Sequence, residues 1–176
     1  MNIRQLEATD AEEYRRLRLW ALQESPSAFG STYAEEIRTS LDTVKQRLGV
    51  NDPLESFVLG AFSDAGRLVG AIGCYREARI KSQHKGNIWG MFVAPTFRRQ
   101  GIGRAMLAAA IERASRISGV RRLNLSVEAN NVAARALYES AGFVVYAVEP
   151  EAYEQDGEFL DSEYMTLRLP EDAAGD

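Results

Sequence analysis

A chain of 176 residues, 45% hydrophobic and 26% charged, suits one hydrophobic core and is the wrong composition for a disordered segment. A single cysteine, Cys74, and a single histidine, His84, exclude an internal disulfide, a thiolate metal cluster and a multi-histidine metal site, so no metal is expected. A net charge of −4 disfavours nucleic acid, no apolar run nears the roughly 18 residues that cross a bilayer, and no apolar leader opens the chain, so a cytoplasmic protein with no membrane partner is expected.

No repeat or low-complexity linker interrupts the sequence, and residues 1–176 read as a single domain. Residues 2–6 form a short first strand. Thr9-Asp10-Ala11-Glu12 has the pattern of a capping box that opens a helix, and Pro26 ends it. A second helical region, 33–48, breaks near Thr39-Ser40. Residues 57–62 and 68–75 read as strands joined by Ser63-Asp64-Ala65-Gly66. The second of these is apolar without alternation, as in a strand covered on both faces.

A fourth strand over 87–93 stops at Pro95. The helix after Gly101 places Gly103, Met106, Leu107, Ala110, Ile111, Ala114 and Ile117 on one face. Leu123, Leu125 and Val127 alternate along a fifth strand. Residues 131–140 form a short helix with Gly142 as its left-handed cap, and 143–148 and 164–169 supply the last two strands. Helices interspersed among strands without strict alternation imply an α/β fold with a mixed sheet.

The richest segment is Val93-Ala94-Pro95-Thr96-Phe97-Arg98-Arg99-Gln100-Gly101-Ile102-Gly103-Arg104-Ala105. A strand ends and a helix begins at two glycines. The first helical turn offers free amides and the positive end of the dipole, glycine lets a bulky anion approach, and three arginines add charge. The chemistry suits a diphosphate. Met106 stands where a dinucleotide fingerprint needs a small residue, and neither glycine precedes the lysine of a nucleotide-triphosphate loop.

Charge is unevenly placed as well. Seven arginines and one acid, Glu112, lie between Arg98 and Arg122, and seven acids with no base lie between Glu149 and Glu163. An anionic cofactor in one place and a cationic acceptor in another would fit; solvated surface accounts equally well for the acidic run.

Arg98-x-x-Gly101-x-Gly103 resembles the pyrophosphate motif of the GNAT superfamily of acyl-CoA N-acyltransferases. Asn131-Val132-Ala133-Ala134-Arg135-Ala136-Leu137-Tyr138-Glu139-Ser140-Ala141-Gly142-Phe143 resembles that family's N-x-x-A-x-x-L-Y-x-x-x-G-F helix. The resemblance is strong from Leu68 to Phe143, and residues 21–36 resemble many uncharacterised bacterial members. It implies a mostly antiparallel central sheet of about seven strands, helices on both faces, splayed between strands four and five. It also implies acetyl-CoA as donor and direct attack by a primary amine, on a small molecule or a peptide, in a ternary complex.

Residue by residue, the resemblance gives Met91, Phe92 and Val93 to the pantetheine arm, one of their amides polarising the thioester carbonyl. It gives the phosphates to Arg98, Arg99, Gln100, Gly101, Ile102, Gly103 and Arg104, and the pantetheine near the sulfur to Asn131 and Ala134. Tyr138 matches the tyrosine beside the sulfur that protonates the leaving thiolate. An amine acceptor of pKa about 10.4 must also lose a proton, at about 4–5 kcal/mol unaided at pH 7, so a general base is expected.

Here the sequence departs from the pattern. Asn87-Ile88-Trp89-Gly90-Met91 lacks the glutamate many relatives carry in the fourth strand, and Ser126 stands where others have one in the fifth. Glu128 is the nearest carboxylate, with Glu77 and His84 as alternatives. Trp20, Phe29, Tyr33 and Tyr153 are candidates for lining an acceptor pocket beside residues 27–36 and the acidic run. A non-catalytic acyl-CoA sensor is the competing reading, and a homodimer is left open.

Overall fold

The computed structural model describes residues 1–49 and 56–170. Seven strands, β1 (Asn2–Gln5), β2 (Ser56–Phe62), β3 (Leu68–Arg76), β4 (Lys85–Val93), β5 (Arg122–Glu128), β6 (Val144–Gln155) and β7 (Glu158–Arg168), form one sheet in the order β1-β2-β3-β4-β5-β7-β6. Only the β4–β5 pair is parallel. The helices are α1 (Ala11–Glu24), α2 (Tyr33–Glu36), α3 (Leu41–Leu48), α4 (Ile102–Ser115) and α5 (Val132–Ser140).

Each face of the sheet has its own core, because both helical layers present apolar stripes. Tyr14, Leu17 and Ala21 of α1 and Val44 and Leu48 of α3 close over Leu6, Val58, Leu68, Ala71 and Phe92. On the other face, Met106, Leu107, Ala110 and Ala114 of α4, with Tyr138 of α5, cover Leu59, Ile72, Ile88, Leu123, Leu125 and Met165. β3 lies between the two layers and is buried from Leu68 to Cys74, as its unbroken apolar run predicts. Its glycines admit close neighbours: a Cβ on Gly73 would fall 2.2 Å from the Trp89 indole, and one on Gly70 would fall 2.9 Å from Met106 Cε.

Three sequence expectations change. Asp10 does not take part in a capping box at Thr9 to Glu12. Its carboxylate accepts two 2.7 Å hydrogen bonds from Arg4 and one of 2.8 Å from the Glu7 amide, so the box forms upstream around a 3₁₀ turn, Ala8–Asp10. The α4 helix ends at Ser115, and Ile117 is buried from the turn that follows.

The last two strands are far longer than 143–148 and 164–169. They meet at Asp156-Gly157, with φ of 53° and 84°, the two left-handed residues that suit a tight hairpin. The acidic run is therefore this hairpin. Its acids divide between the faces: Glu149 accepts from the Tyr164 hydroxyl, whereas Glu163 accepts from Arg135 of α5 at 2.8 Å on the other side.

The feature that positions the site is a split. β4 pairs with β5 only at Lys85↔Arg122, Gly86↔Leu123 and Asn87↔Asn124. Beyond Asn87 the two strands part, while β5 stays paired to β7 along its whole length.

Candidate functional site

One wall of the split is the upper half of β4. The β3–β4 register slips between Ala71, opposite Phe92, and Gly73, opposite Trp89. A bulge is centred on Gly90, whose φ of 62° favours glycine. Past the bulge, Ala94 N donates to Val69 O at 2.8 Å, and Phe92 O faces Gly70, so those peptides belong to β3. By strand alternation, the amides of Met91 and Val93 turn to the split. Of the three residues expected along a pantetheine arm, two offer main-chain groups there. Phe92 contributes a buried ring, edge-on to Trp20 at 6.1 Å between centroids.

The N-terminus of α4 stands at the mouth of the split. Gly101 is left-handed at φ 79°, and the helix's first main-chain bond runs from Ala105 N to Gly101 O at 3.0 Å. The amides from Arg99 to Arg104, Gln100 and Ile102 included, find no acceptor among the described residues. Nothing lies within 4 Å of where a Gly101 Cβ would be. A Gly103 Cβ would lie 3.3 Å from Met91 Cε and 3.4 Å from Leu137 Cδ2, so glycine closes the corner between β4, α4 and α5.

Arg99, itself left-handed at φ 62°, and Arg104 are exposed and make no ion pair among the described residues. Arg98 differs from its neighbours. Its Nε donates to Val93 O at 2.9 Å and its Nη atoms grip Glu24 at 3.1 and 2.6 Å, a pairing that holds the Glu24 carboxyl below its ordinary pKa. Arg98 braces the turn against α1.

The second wall carries α5. Asn131 is its N-cap, accepting from Ala134 N at 3.1 Å; that bond occupies the Ala134 amide and leaves the Asn131 Nδ2 with no partner among the described residues. Tyr138 is 8% exposed, edge-on to Phe143. Its hydroxyl makes no hydrogen bond to a described residue. Burial pushes it up to about 12, so it stays protonated and can donate at neutral pH.

On the α1 face, the foot of the split opens into a cavity of about 540 Å³ lined by Tyr75, Glu77, Asn87, Trp89, Ser126 and Tyr164, among others. Glu77 Oε1 accepts from Asn87 Nδ2 at 2.8 Å. Glu128 follows Ser126 on the same strand face but does not line this cavity, and neither does His84, whose carbonyl caps the Arg121 and Arg122 amides. The Glu149 hydrogen bond pushes the Tyr164 phenol up to about 12.

Among the aromatic candidates, Tyr153 would lie 3.3 Å from a Gly30 Cβ, so the β6–β7 hairpin meets the loop after α1. Phe29 packs on Phe92, whereas Trp20 and Tyr33 line a separate outer groove along α1. Two features escaped the sequence reading. Glycine inside a strand pattern signals the Gly90 bulge; a buried Arg18 on α1 gives no sequence signal, because arginine on a helix reads as solvated.

The model of the acetyltransferase (GNAT) family matches residues 11–143. The chain belongs to this family. A GNAT acetyltransferase structure from Streptococcus pneumoniae superposes with a TM-score of 0.85 at 26% identity, covering 96% of this chain and 99% of that one. The GNAT fold is shared with yncA from Salmonella typhimurium, solved with its cofactor acetyl-CoA, at a TM-score of 0.84 and 24% identity over 100% of this chain and 98% of that one. The L-methionine sulfoximine/L-methionine sulfone acetyltransferase of Salmonella typhimurium LT2 is 35% identical over 86 residues, 49% of this chain. The GNAT chain spans about half the length of the curated relatives it matches.

Proposed function

We propose that this protein is an acetyl-CoA-dependent N-acetyltransferase that moves the acetyl group to a primary amine by direct attack in a ternary complex. The observation that carries the reading is the row of amides from Arg99 to Arg104 at the mouth of the split, which find no acceptor among the described residues and lie beside Arg99 and Arg104, which make no ion pair among them. Every helix opens on unpaired amides, but here they meet two exposed arginines and an uncrowded glycine, as a diphosphate requires.

In this reading the diphosphate rests on Gln100 to Arg104 with Arg99 alongside, and Met91 and Val93 hold the pantetheine arm as an added strand would. When bound, acetyl-CoA supplies the activated acetyl group. A β4 amide stabilises the oxyanion that develops on the thioester carbonyl. Asn131 Nδ2 orients the arm, and Tyr138 donates its proton to the departing thiolate.

The amine's proton goes to a carboxylate, directly or through water. Glu77 has the better claim than Glu128, because it lines the cavity that an acceptor would enter and Asn87 already orients it. A panel of primary amines with acetyl-CoA, followed by thiol release, tests the reading. Acetylation should be detected with at least one amine, and Glu77→Gln should lower kcat/KM by roughly 10²- to 10⁴-fold while Glu128→Gln stays near the wild type. Failure of CoA to bind would refute the reading.

A further inference from the structure

Four aromatic rings line the cavity at the foot of the split, and none has a role so far. Asn87 faces Asn124 across the parallel pair, so Trp89 and Ser126, two residues on, stand level on the two sides of the split, with Tyr164 opposite Ser126. On one side the Trp89 indole rests over Gly73, and Tyr75 stands opposite Asn87. On the other, Tyr164 packs on Tyr146 with ring centroids 6.2 Å apart and planes tilted by 53°.

The amides between them, and one hydroxyl, are already engaged. Glu77 accepts from Asn87 Nδ2 at 2.8 Å, Asn124 Oδ1 from Thr166 Oγ1 at 2.8 Å, and Glu149 from the Tyr164 hydroxyl, which fixes that ring in place. Ring surface stays open, with Tyr75 43% and Tyr146 57% exposed. Charge narrows the choice of guest further. Glu77 is the one acid in the lining, whereas Arg79 and Lys85 also line it and make no ion pair among the described residues. A guest with several ammonium groups would meet two cations and a single carboxylate. An uncharged ring meets aromatic surface on both sides and can accept a cation on its own face.

We propose, building on the acetyltransferase reading, that the acceptor is a primary amine carrying an uncharged aromatic ring, an arylalkylamine. Its ring lies between Trp89 and Tyr75 on one side and Tyr164 and Tyr146 on the other. A strand climbs about 3.3 Å per residue, so the level of Met91 is about 7 Å above that of Trp89, within reach of a short alkyl arm that carries the amine from the ring to the β4 amides. The amine nitrogen bonds to the acetyl carbon as the carbon–sulfur bond breaks; its proton leaves to the carboxylate, and the thiolate takes one from Tyr138. Tyr146 and Tyr75 are then specificity-determining residues that touch the ring of the acceptor and not the reacting atoms.

The test pairs phenethylamine with cyclohexylethylamine, which share a carbon skeleton and differ in the π face, and adds the diamine putrescine. Thiol release reads turnover, and calorimetry with CoA alone reads the cofactor site. The wild type should favour the phenyl compound over the cyclohexyl one by roughly tenfold in kcat/KM, one ring contact on each side, and over the diamine by at least as much. Tyr146→Leu, at an exposed position, should lower the phenyl-to-cyclohexyl ratio roughly threefold, with CoA affinity and turnover of the cyclohexyl amine held within about twofold. Tyr75→Leu should act in the same direction. A wild-type ratio near unity, a ratio unmoved by both substitutions, or preference for the diamine would overturn the proposal. If the variants do not fold, the wild-type ratios decide alone. Turnover confined to amines without a ring, with CoA binding intact, would sink this inference while sparing the acetyltransferase reading, whereas absent CoA binding would remove both.

Discussion

Tyr138 combines a motif position with a measurable physical state. Burial raises its pKa, so the folded protein holds the proton more tightly than the unfolded chain. The linked stability is fully present below the unfolded value near 10 and is lost as pH rises towards about 12, at most about 3 kcal/mol for this side chain. Urea unfolding of wild type and Tyr138→Phe across that window should show the wild type losing stability relative to the variant. At neutral pH the same substitution should lower kcat by roughly 10²- to 10⁴-fold, as loss of a general acid does, with CoA affinity held within about twofold. A Tyr138→Phe enzyme with full turnover would make the residue merely a core aromatic. Tyr138 entered the reading through the resemblance of residues 131–143 to the family's motif. The role of Arg98 was less legible, because a sequence cannot show that a distant Glu24 occupies its guanidinium.

At the scale of elements, the pattern of α4 and the alternation of β5 were readable because one face of each is buried against the sheet. The β6–β7 hairpin was not read, although Asp156-Gly157 is a strong turn signal; acidic strands exposed at a sheet edge lack the hydrophobic alternation that marks a strand. Gly157→Ala, at φ 84°, should cost about 1 kcal/mol, seen as a fall of a few degrees in Tm, and leave CoA affinity unchanged. Gly90→Ala should show the opposite balance. Its strain is also about 1 kcal/mol, but re-aiming the Met91 and Val93 amides should reduce kcat/KM by more than that strain accounts for, tenfold or beyond. Equal effects of the two substitutions on kcat/KM would mean that the bulge is only a fold feature.

Across the whole molecule, two helical layers cover a sheet that parts between β4 and β5, and the exposed Arg99 and Arg104 stand at the open end. The motif order was evident from sequence, since glycines, arginines and apolar faces are local signals, and the two layers came with the family resemblance. The cavity on the α1 face was not evident, because it joins Glu77 just after β3, Ser126 of β5 and Tyr164 of β7, residues far apart in the chain. The exposed Arg99 and Arg104 also set a dependence on medium: CoA affinity should weaken steadily as salt is raised from about 0.05 to 0.5 M, as screening shortens the reach of surface charge. A salt-independent affinity would assign binding to apolar contacts instead.

Calorimetric titration of CoA into the wild type and into Gly103→Val tests the central claim most directly, since the added side chain would press on Met91 and Leu137 at the corner of the cradle. One site per chain in the wild type, weakened at least about tenfold in a variant of unchanged fold, is the predicted result. No heat with the wild type, or equal affinity in both proteins, would contradict it.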